Sequence, residues 1–215
     1  MSSAILISND ENIISINGPA GNIEAVHSKP TSPEIPYIGI VCHPHPLHEG
    51  TMNNKVVHTL VKVFRDLGMN AIRFNFRGVG NSAGSFDNGI GETEDVLAVI
   101  DWALQNSPGH QICLAGFSFG AYVSLRAATQ RSVKLLISVA PPVTYPEINN
   151  LTPSCPWIIV HGENDELFPI QIVIDWVATL TAKPEFISIT GASHFFHGKL
   201  IELRDLVSNA IKKYI

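Results

Sequence analysis

The chain has 215 residues, of which 45% are hydrophobic and 15% charged, and its formal net charge is −5. Without a surplus of basic residues a nucleic-acid partner is not expected. No apolar run reaches the roughly 18 residues that a membrane-spanning helix needs. The first twelve residues, "MSSAILISNDEN", have neither the basic start nor the long apolar run of a signal peptide, which predicts a cytoplasmic protein. The length fits one domain, residues 1–215.

The cysteines argue against a disulfide framework. Cys42, Cys113 and Cys155 are odd in number, show no Cys-x-x-Cys spacing, and lie in or beside apolar runs. They are therefore expected to be buried free thiols.

The predicted elements begin with short β-like pieces and continue as an alternation of strands and helices. "ILIS", "NIISING" and "NIEAVHS", separated by Asn, Asp and Gly, predict antiparallel hairpins in the first thirty residues. A helix follows over 53–68, with Asn53 or Asn54 as its N-cap and Gly68 as its C-cap. The further strands are predicted at 37–42, 70–76, 110–117, 134–142, 156–162 and 185–191, and the further helices at 92–107, 118–130, 170–182 and 199–215.

This alternation predicts the fold class. Buried strands rich in Val and Ile that alternate with helices form a parallel sheet with both faces covered, which is an α/β architecture. Open sheets of this kind bind ligands at the carboxyl ends of their strands. Residues directly after each predicted strand are therefore the candidates for function.

The stretch "LAGFSFGAY", residues 114–122, places Ser118 between a predicted strand and a predicted helix. A serine on such a sharp turn is lifted above the sheet, and small neighbours such as Gly116 and Gly120 let helix and strand approach closely. The helix N-terminus also directs free N–H groups at developing negative charge. Ser118 is therefore predicted to be a nucleophile.

A serine nucleophile needs a base, and the base needs an acid that orients it. Asp165 follows the predicted strand 156–162 and is favoured as the acid by its position, with Glu163 and Glu166 as neighbouring alternatives. His194 follows the last predicted strand and is favoured as the base. His197 is expected instead to cap or pack at the start of the last helix.

The order Ser118, Asp165, His194 is the order that the α/β-hydrolase fold requires. Three further stretches accompany it: "HPHP" at 43–46, "RFNFRGVGNSAGSFDNGIGE" at 73–92, and "HFFHG" at 194–198. On these motifs the chain resembles the α/β-hydrolase superfamily over nearly its whole length, and within it the small, dienelactone-hydrolase-like bacterial proteins.

The resemblance implies a mainly parallel eight-stranded sheet with an antiparallel start, and a catalytic triad of Ser118, Asp165 and His194. We expect hydrolysis of small carboxylic esters through an acyl-enzyme on Ser118, without a cofactor. Thioester or peptide hydrolysis by the same triad, or a non-catalytic binding module on the same fold, are the alternatives. The oligomeric state is left open.

An oxyanion hole needs two backbone N–H donors. Phe119, directly after the nucleophile, is expected to supply one. Pro44 and Pro46 have no N–H, so the second comes from His45 or Leu47. If His43 matches the histidine of the superfamily's His-Gly motif, His45 is the second donor, and we favour this alternative.

For several other polar residues the sequence favours a structural role. The spacing of His43, His45 and His48 across prolines does not predict a metal site, and His43 is expected to hydrogen-bond its loop. For Arg77 a substrate carboxylate is one candidate partner, but a salt bridge that holds the glycine-rich loop, to Asp87 or Glu92, is favoured.

The surroundings of the site are expected to be open and partly aromatic. Only about fifteen residues separate the strands at 134–142 and 156–162, which is too few for a lid domain. Of five phenylalanines near the predicted site, one or two are expected to line an acyl or aromatic pocket: Phe117, Phe119, Phe168, Phe195 and Phe196.

Overall fold

A computed structural model describes residues 10–215, without the side chain of Pro146. The β-like piece "ILIS" lies outside the described residues. The other two N-terminal pieces form an antiparallel hairpin, as predicted, with Glu11 opposite Ser28 and Gly18 opposite Gly21.

Eight strands form one sheet, in the order β1-β2-β4-β3-β5-β6-β7-β8. The pairs β1–β2 and β2–β4 are antiparallel and all other pairs are parallel. This confirms the predicted α/β-hydrolase fold with its mainly parallel eight-stranded sheet. The strands are β1 Glu11–Gly18, β2 Gly21–Ser28, β3 Tyr37–Cys42, β4 Asn70–Phe74, β5 Gln111–Phe117, β6 Leu135–Val139, β7 Trp157–Gly162 and β8 Glu185–Ile189.

Five helices cover the two faces of the sheet. The apolar residues of α1 and α5 pack in one buried cluster, and those of α2, α3 and α4 pack in another on the opposite face. Because both faces are covered, the central strands are buried along almost their whole length, which explains their uninterrupted apolar sequences. The helices are α1 Lys55–Asp66, α2 Ile90–Asn106, α3 Phe119–Ala128, α4 Ile170–Thr179 and α5 Leu200–Ile211.

The helix ends differ from the prediction for local reasons. Asn54, not Asn53, caps α1 by accepting a hydrogen bond from the N–H of Val56. Helix α2 begins two residues earlier than predicted, because the Glu92 carboxylate accepts hydrogen bonds from the N–H groups of Asp87 and Gly89 and closes the preceding turn.

The connection between β6 and β7 forms only a short 3-10 turn, Pro146–Asn150, so no lid domain stands there, as expected from its length. In the part of the chain that the structure describes, no helix is both long and apolar enough to cross a membrane.

Candidate active site

Ser118 occupies the turn between β5 and α3 in a backbone conformation that few non-glycine residues adopt. Its φ is 53° and its ψ is −120°. The turn is fixed at its base, because the N–H of Ser118 donates to the carbonyl of Val139 on the neighbouring strand over 2.9 Å. The hydroxyl therefore projects at the carboxyl end of the sheet.

Two glycines allow this turn to be so tight. A Cβ atom at Gly116 would lie 2.1 Å from the carbonyl oxygen of Gly120. A Cβ atom at Gly120 would lie 2.3 Å from the carbonyl oxygen of Cys42 at the end of β3. Both contacts are with backbone, which cannot move aside as a side chain could. The two glycines thus bring the start of α3 against the loop that follows β3.

Ser118, His194 and Asp165 form one continuous hydrogen-bonded chain. His194 Nε2 lies 3.0 Å from Ser118 Oγ, and His194 Nδ1 lies 2.8 Å from Asp165 Oδ2. The three residues come from the ends of three strands, β5, β8 and β7. His194 and Asp165 are buried, while Ser118 is partly exposed.

The carboxylate of Asp165 is held in place by the turn that contains it. Its Oδ1 accepts hydrogen bonds from the N–H groups of Leu167 and Phe168, over 2.9 and 2.8 Å. Burial acts to raise the pKa of Asp165, but the hydrogen bonds from His194 and from the Phe168 backbone outweigh it, so the pKa lies below its usual value. The group is therefore a carboxylate facing the imidazole.

The two glutamates beside Asp165 contact other groups. Glu163 accepts a hydrogen bond from the Ser188 hydroxyl. Glu166 accepts one from the backbone N–H of His194, over 3.0 Å, and so helps to hold the histidine loop. Of the three carboxylates, Asp165 is the one that reaches the imidazole ring.

His161, on β7, is a further part of this arrangement that the sequence analysis missed. Its buried Nε2 lies 2.7 Å from the Phe168 carbonyl and 3.4 Å from Asp165 Oδ2. The ring thus ties the carboxylate to its own turn. In the sequence it is one polar residue at the end of an apolar strand, a signal too weak to separate it from an ordinary buried histidine.

His43 organises the loop after β3, as predicted. Its Nδ1 donates to the carbonyl of Pro44 over 2.6 Å, and its Nε2 accepts from the N–H of Phe76 over 3.0 Å. Complete burial lowers the pKa of His43 to about 3, so the ring is neutral. One imidazole therefore joins the loop after β3 to the chain that follows β4.

The two alternatives for the second oxyanion donor differ in their contacts. The N–H of Leu47 donates to the His45 imidazole Nδ1 over 3.2 Å. For the backbone N–H groups of His45 and Phe119, no acceptor is found within residues 10–215. The rings of these two residues lie 4.8 Å apart, so the His45 loop packs against the start of α3.

Two expectations for charged or polar residues are wrong in detail. Arg77 forms a salt bridge, but with Asp95 and Glu94 of α2 instead of Asp87 or Glu92. Since α2 begins at Ile90, Glu92 faces back into the preceding turn, while Asp95 faces the arginine.

His197 does not cap α5. The N-cap position belongs to Lys199. His197 is exposed instead, and lies with Phe195 beside a small cleft next to the His194 loop.

No group of three or more His, Cys, Asp or Glu side chains that could hold a metal ion occurs among the described residues. Cys42 and Cys113 are buried free thiols, as predicted, whereas Cys155 is a free thiol that is only partly buried.

The fold and the serine at the strand-to-helix turn define the class of the protein as an α/β serine hydrolase. The sequence profile of the X-Pro dipeptidyl-peptidase (S15) family matches residues 22–151, which is more than half of the chain. The chain belongs to this family within the α/β-hydrolase superfamily.

Individual relatives agree with this assignment. The chain is 42% identical over 214 residues to protein RP471 of Rickettsia prowazekii (strain Madrid E), covering 94% of this chain and 87% of that protein. It is similar to an α/β serine hydrolase homologue of Coxiella burnetii, with 48% identity, a TM-score of 0.91, and coverage of 96% and 99% of the two chains. It is also similar to a lidless α/β serine hydrolase, XC6422 of Xanthomonas campestris, with 39% identity, a TM-score of 0.93, and coverage of 99% and 98%.

Proposed function

We propose that the protein is a serine esterase that cleaves small carboxylic esters through an acyl-enzyme on Ser118. The observation that carries the proposal is the hydrogen-bonded chain from Asp165 through His194 to the Ser118 hydroxyl. The resemblance of the "HPHP" and glycine-rich motifs to dienelactone-hydrolase-like proteins supports a hydrolase and specifies no substrate. The substrate is a small molecule and no cofactor takes part.

The histidine is set up to act as the general base. With its Nδ1–H donated to the Asp165 carboxylate, the Nε2 of His194 carries a lone pair that faces the Ser118 hydroxyl. As Oγ attacks the ester carbonyl carbon, Nε2 accepts the hydroxyl proton. Asp165 stabilises the imidazolium that forms and keeps it in this orientation.

The carbonyl oxygen becomes negatively charged in this step. We assign its stabilisation to the N–H groups of Phe119 and His45, because the N–H of Leu47 already donates to the His45 ring. The leaving alcohol then takes the proton from His194 Nε2. Water attacks the acyl-enzyme by the same route in reverse and releases the acid and free Ser118.

Hydrolysis of X-Pro peptides, the activity in the family's description, is the second candidate. Binding the N-terminal ammonium of a peptide calls for a carboxylate beside the reacting centre. The carboxylate of Glu166, near His194, accepts a hydrogen bond from the His194 backbone N–H. Among the described residues, neither the cleft beside Phe119 nor the cleft beside Phe195 is lined by an Asp or Glu side chain. This absence of a counter-charge favours esters over peptides.

The test compares p-nitrophenyl butyrate, the corresponding butyryl thioester and Ala-Pro-p-nitroanilide on the purified protein. The ester should give the highest kcat/KM. Ser118→Ala should lower it by about 10³-fold or more without changing the circular dichroism spectrum. Ser132→Ala, an exposed serine at the opposite end of the sheet, is the control and should stay within about twofold of wild type.

The contradicting outcomes are distinct. Higher activity on Ala-Pro-p-nitroanilide would transfer the proposal to peptidase chemistry. A Ser118→Ala variant with near-full activity would exclude the nucleophile. Folded protein that is inactive on all three substrates would favour a binding module.

A further inference from the structure

A cleft of about 400 Å³ lies on the oxyanion side of Ser118. The residues that line it include Phe119, which is buried, and His45, which is partly exposed, and their backbone N–H groups are the two proposed oxyanion donors. Phe86 and Asn88 reach it from the glycine-rich loop, and Tyr145 from the connection between β6 and β7. The cleft therefore lies beside the carbonyl group that those two donors would hold.

The position of His194 decides which part of an ester occupies this cleft. The leaving oxygen must lie within reach of His194 Nε2, since it takes its proton there. A separate cleft of about 270 Å³, lined in part by Lys55, Phe195 and His197, adjoins the histidine loop, and the Phe195 ring lies 5.1 Å from the His194 ring. We therefore assign the alcohol to the side of the histidine loop and the acyl group to the cleft beside Phe119 and His45.

The acyl cleft is walled by aromatic rings at fixed angles to one another. His45 lies 5.0 Å from Phe86 at 39°, and 4.8 Å from Phe119 at 50°. Phe86 and Phe119 are themselves 5.8 Å apart at 48°. Phe119 is backed by Phe76, edge to face at 5.9 Å, so its ring cannot withdraw. An aromatic guest gains offset or edge-to-face contacts here in addition to burial, whereas a saturated guest gains burial alone.

The cleft also offers no countercharge. Among the described residues that line it there is no Lys, Arg, Asp or Glu. Partial burial lowers the pKa of His45, which keeps its ring neutral near pH 7. Arg77, the arginine that opens the glycine-rich loop, is held by Asp95 and Glu94. A charged acyl group would lose hydration in this cleft without compensation.

We propose that the acyl group of the substrate is an uncharged aryl or arylalkyl group, of the size of benzoyl, phenylacetyl or cinnamoyl. The inference rests on the proposed esterase function and adds the identity of the acyl half. Phe86 is its specificity-determining residue, because its partly exposed ring packs on both His45 and Phe119 and lines the cleft together with them.

The first measurement compares p-nitrophenyl phenylacetate with p-nitrophenyl cyclohexylacetate, which share the carbon skeleton and the leaving group. The kcat/KM of the aromatic ester should be higher by about fivefold or more. A charged analogue is the p-nitrophenyl ester of 4-carboxyphenylacetic acid, esterified at the acetic acid carboxyl so that the ring carboxylate stays free. Its kcat/KM should be at least about tenfold lower than that of p-nitrophenyl phenylacetate. Equal rates for the aromatic and the saturated ester, or a preference for the charged one, would overturn the inference.

The second measurement uses a matched pair of variants. Phe86→Leu keeps an apolar side chain but removes one of the rings that line the cleft, and should lower the phenyl-to-cyclohexyl ratio by about twofold or more. Phe195→Leu, in the cleft on the leaving-group side, should leave that ratio unchanged whatever its effect on the overall rate. An unchanged ratio in Phe86→Leu would overturn the role of Phe86.

The measurements distinguish a wrong acyl assignment from a wrong esterase proposal. Turnover of all these esters without an aromatic preference overturns only the acyl assignment. If none is turned over and Ser118 is unreactive toward a fluorophosphonate, the esterase proposal fails and the acyl assignment fails with it.

Discussion

At the scale of single residues, His43 shows how burial determines the protonation state of a side chain. It is fully buried and uses both ring nitrogens in hydrogen bonds, to Pro44 and Phe76. With a pKa of about 3 in the folded chain it stays neutral where an unfolded histidine takes up a proton, near its ordinary value of 6.5. Unfolding therefore binds a proton at every pH between these two values.

This difference predicts the pH dependence of stability. As the pH falls below about 6.5, the His43 contribution to the free energy of unfolding decreases by about 1.4 kcal/mol per pH unit; above about 6.5 it is constant. Between pH 7 and pH 5 the wild type should thus lose about 2 kcal/mol more than His43→Gln, since the remaining histidines are common to both. Urea unfolding at the two pH values measures it. Equal losses would show that His43 is not a buried neutral ring.

The sequence predicts a functional residue when that residue follows a predicted strand. It does not predict one whose role depends on contacts made by the path of a loop. Ser118, Asp165 and His194 could be proposed because each follows a predicted strand, and strand ends meet at one edge of a parallel sheet. The contact of His161 with Asp165 depends on the path of the 165–168 turn, which periodicity does not describe. The partner of Arg77 depended on a two-residue shift in the start of α2.

At the scale of elements, the approach of α3 to β3 determines the geometry around the nucleophile. The helix begins directly after Ser118, and Gly120 in its first turn faces the carbonyl groups of Cys42 and His43. The contact fixes how far Phe119 lies from the His45 loop. The two proposed oxyanion donors thus depend on one glycine for their spacing.

Gly120→Ala should therefore damage both stability and activity. The added Cβ would lie 2.3 and 2.5 Å from two backbone oxygens, so the helix must move. Overpacking of this kind costs about 1–3 kcal/mol, and the shift of α3 should also lower esterase kcat. The free energy of unfolding and kcat are measured on the same preparation.

The control is Gly109→Ala, where no atom lies within 4 Å of the added Cβ and only the φ of +84° is unfavourable. It should cost about 1 kcal/mol and leave kcat near the wild-type value. If Gly120→Ala matched this control in both measurements, the close packing of α3 would not matter for the site.

The sequence predicted which segments form strands or helices better than it predicted where each of them ends. The continuous apolar runs of β5, β6 and β7 identify buried strands, because both faces of the sheet are covered. The end of α5 at Ile211 falls short of the predicted 215, since the apolar pattern continues past the last helical hydrogen bonds. Helix ends depend on caps and turns that a periodic pattern does not contain.

At the scale of the whole molecule, the sheet brings residues distant in sequence to one edge. All eight strands belong to a single sheet, and we propose that residues 1–215 act as one domain. The alternation of strands and helices predicted a parallel sheet, and the family resemblance implied eight strands with an antiparallel start. Neither predicted the crossing of β3 and β4 in the strand order. The cytoplasmic location and the absence of a nucleic-acid partner stay predictions.

The open connection between β6 and β7 gives the molecule its accessible site. No lid domain stands between β6 and β7, and the clefts beside Phe119 and Phe195 are lined in part by loop residues. We propose that small esters enter there from solvent. The specificity of the molecule is therefore expected to come from the rings of the acyl cleft and not from closure of a domain.

The measurement that tests the central claim most directly is the labelling of folded protein by a fluorophosphonate, followed by peptide mass spectrometry. We expect one adduct, on Ser118. The adduct should disappear in His194→Ala and persist in Glu163→Gln, whose carboxylate contacts Ser188 and not the imidazole. An adduct on another residue, or labelling of Ser118 at the same rate without His194, would contradict the claim that these side chains form a working triad.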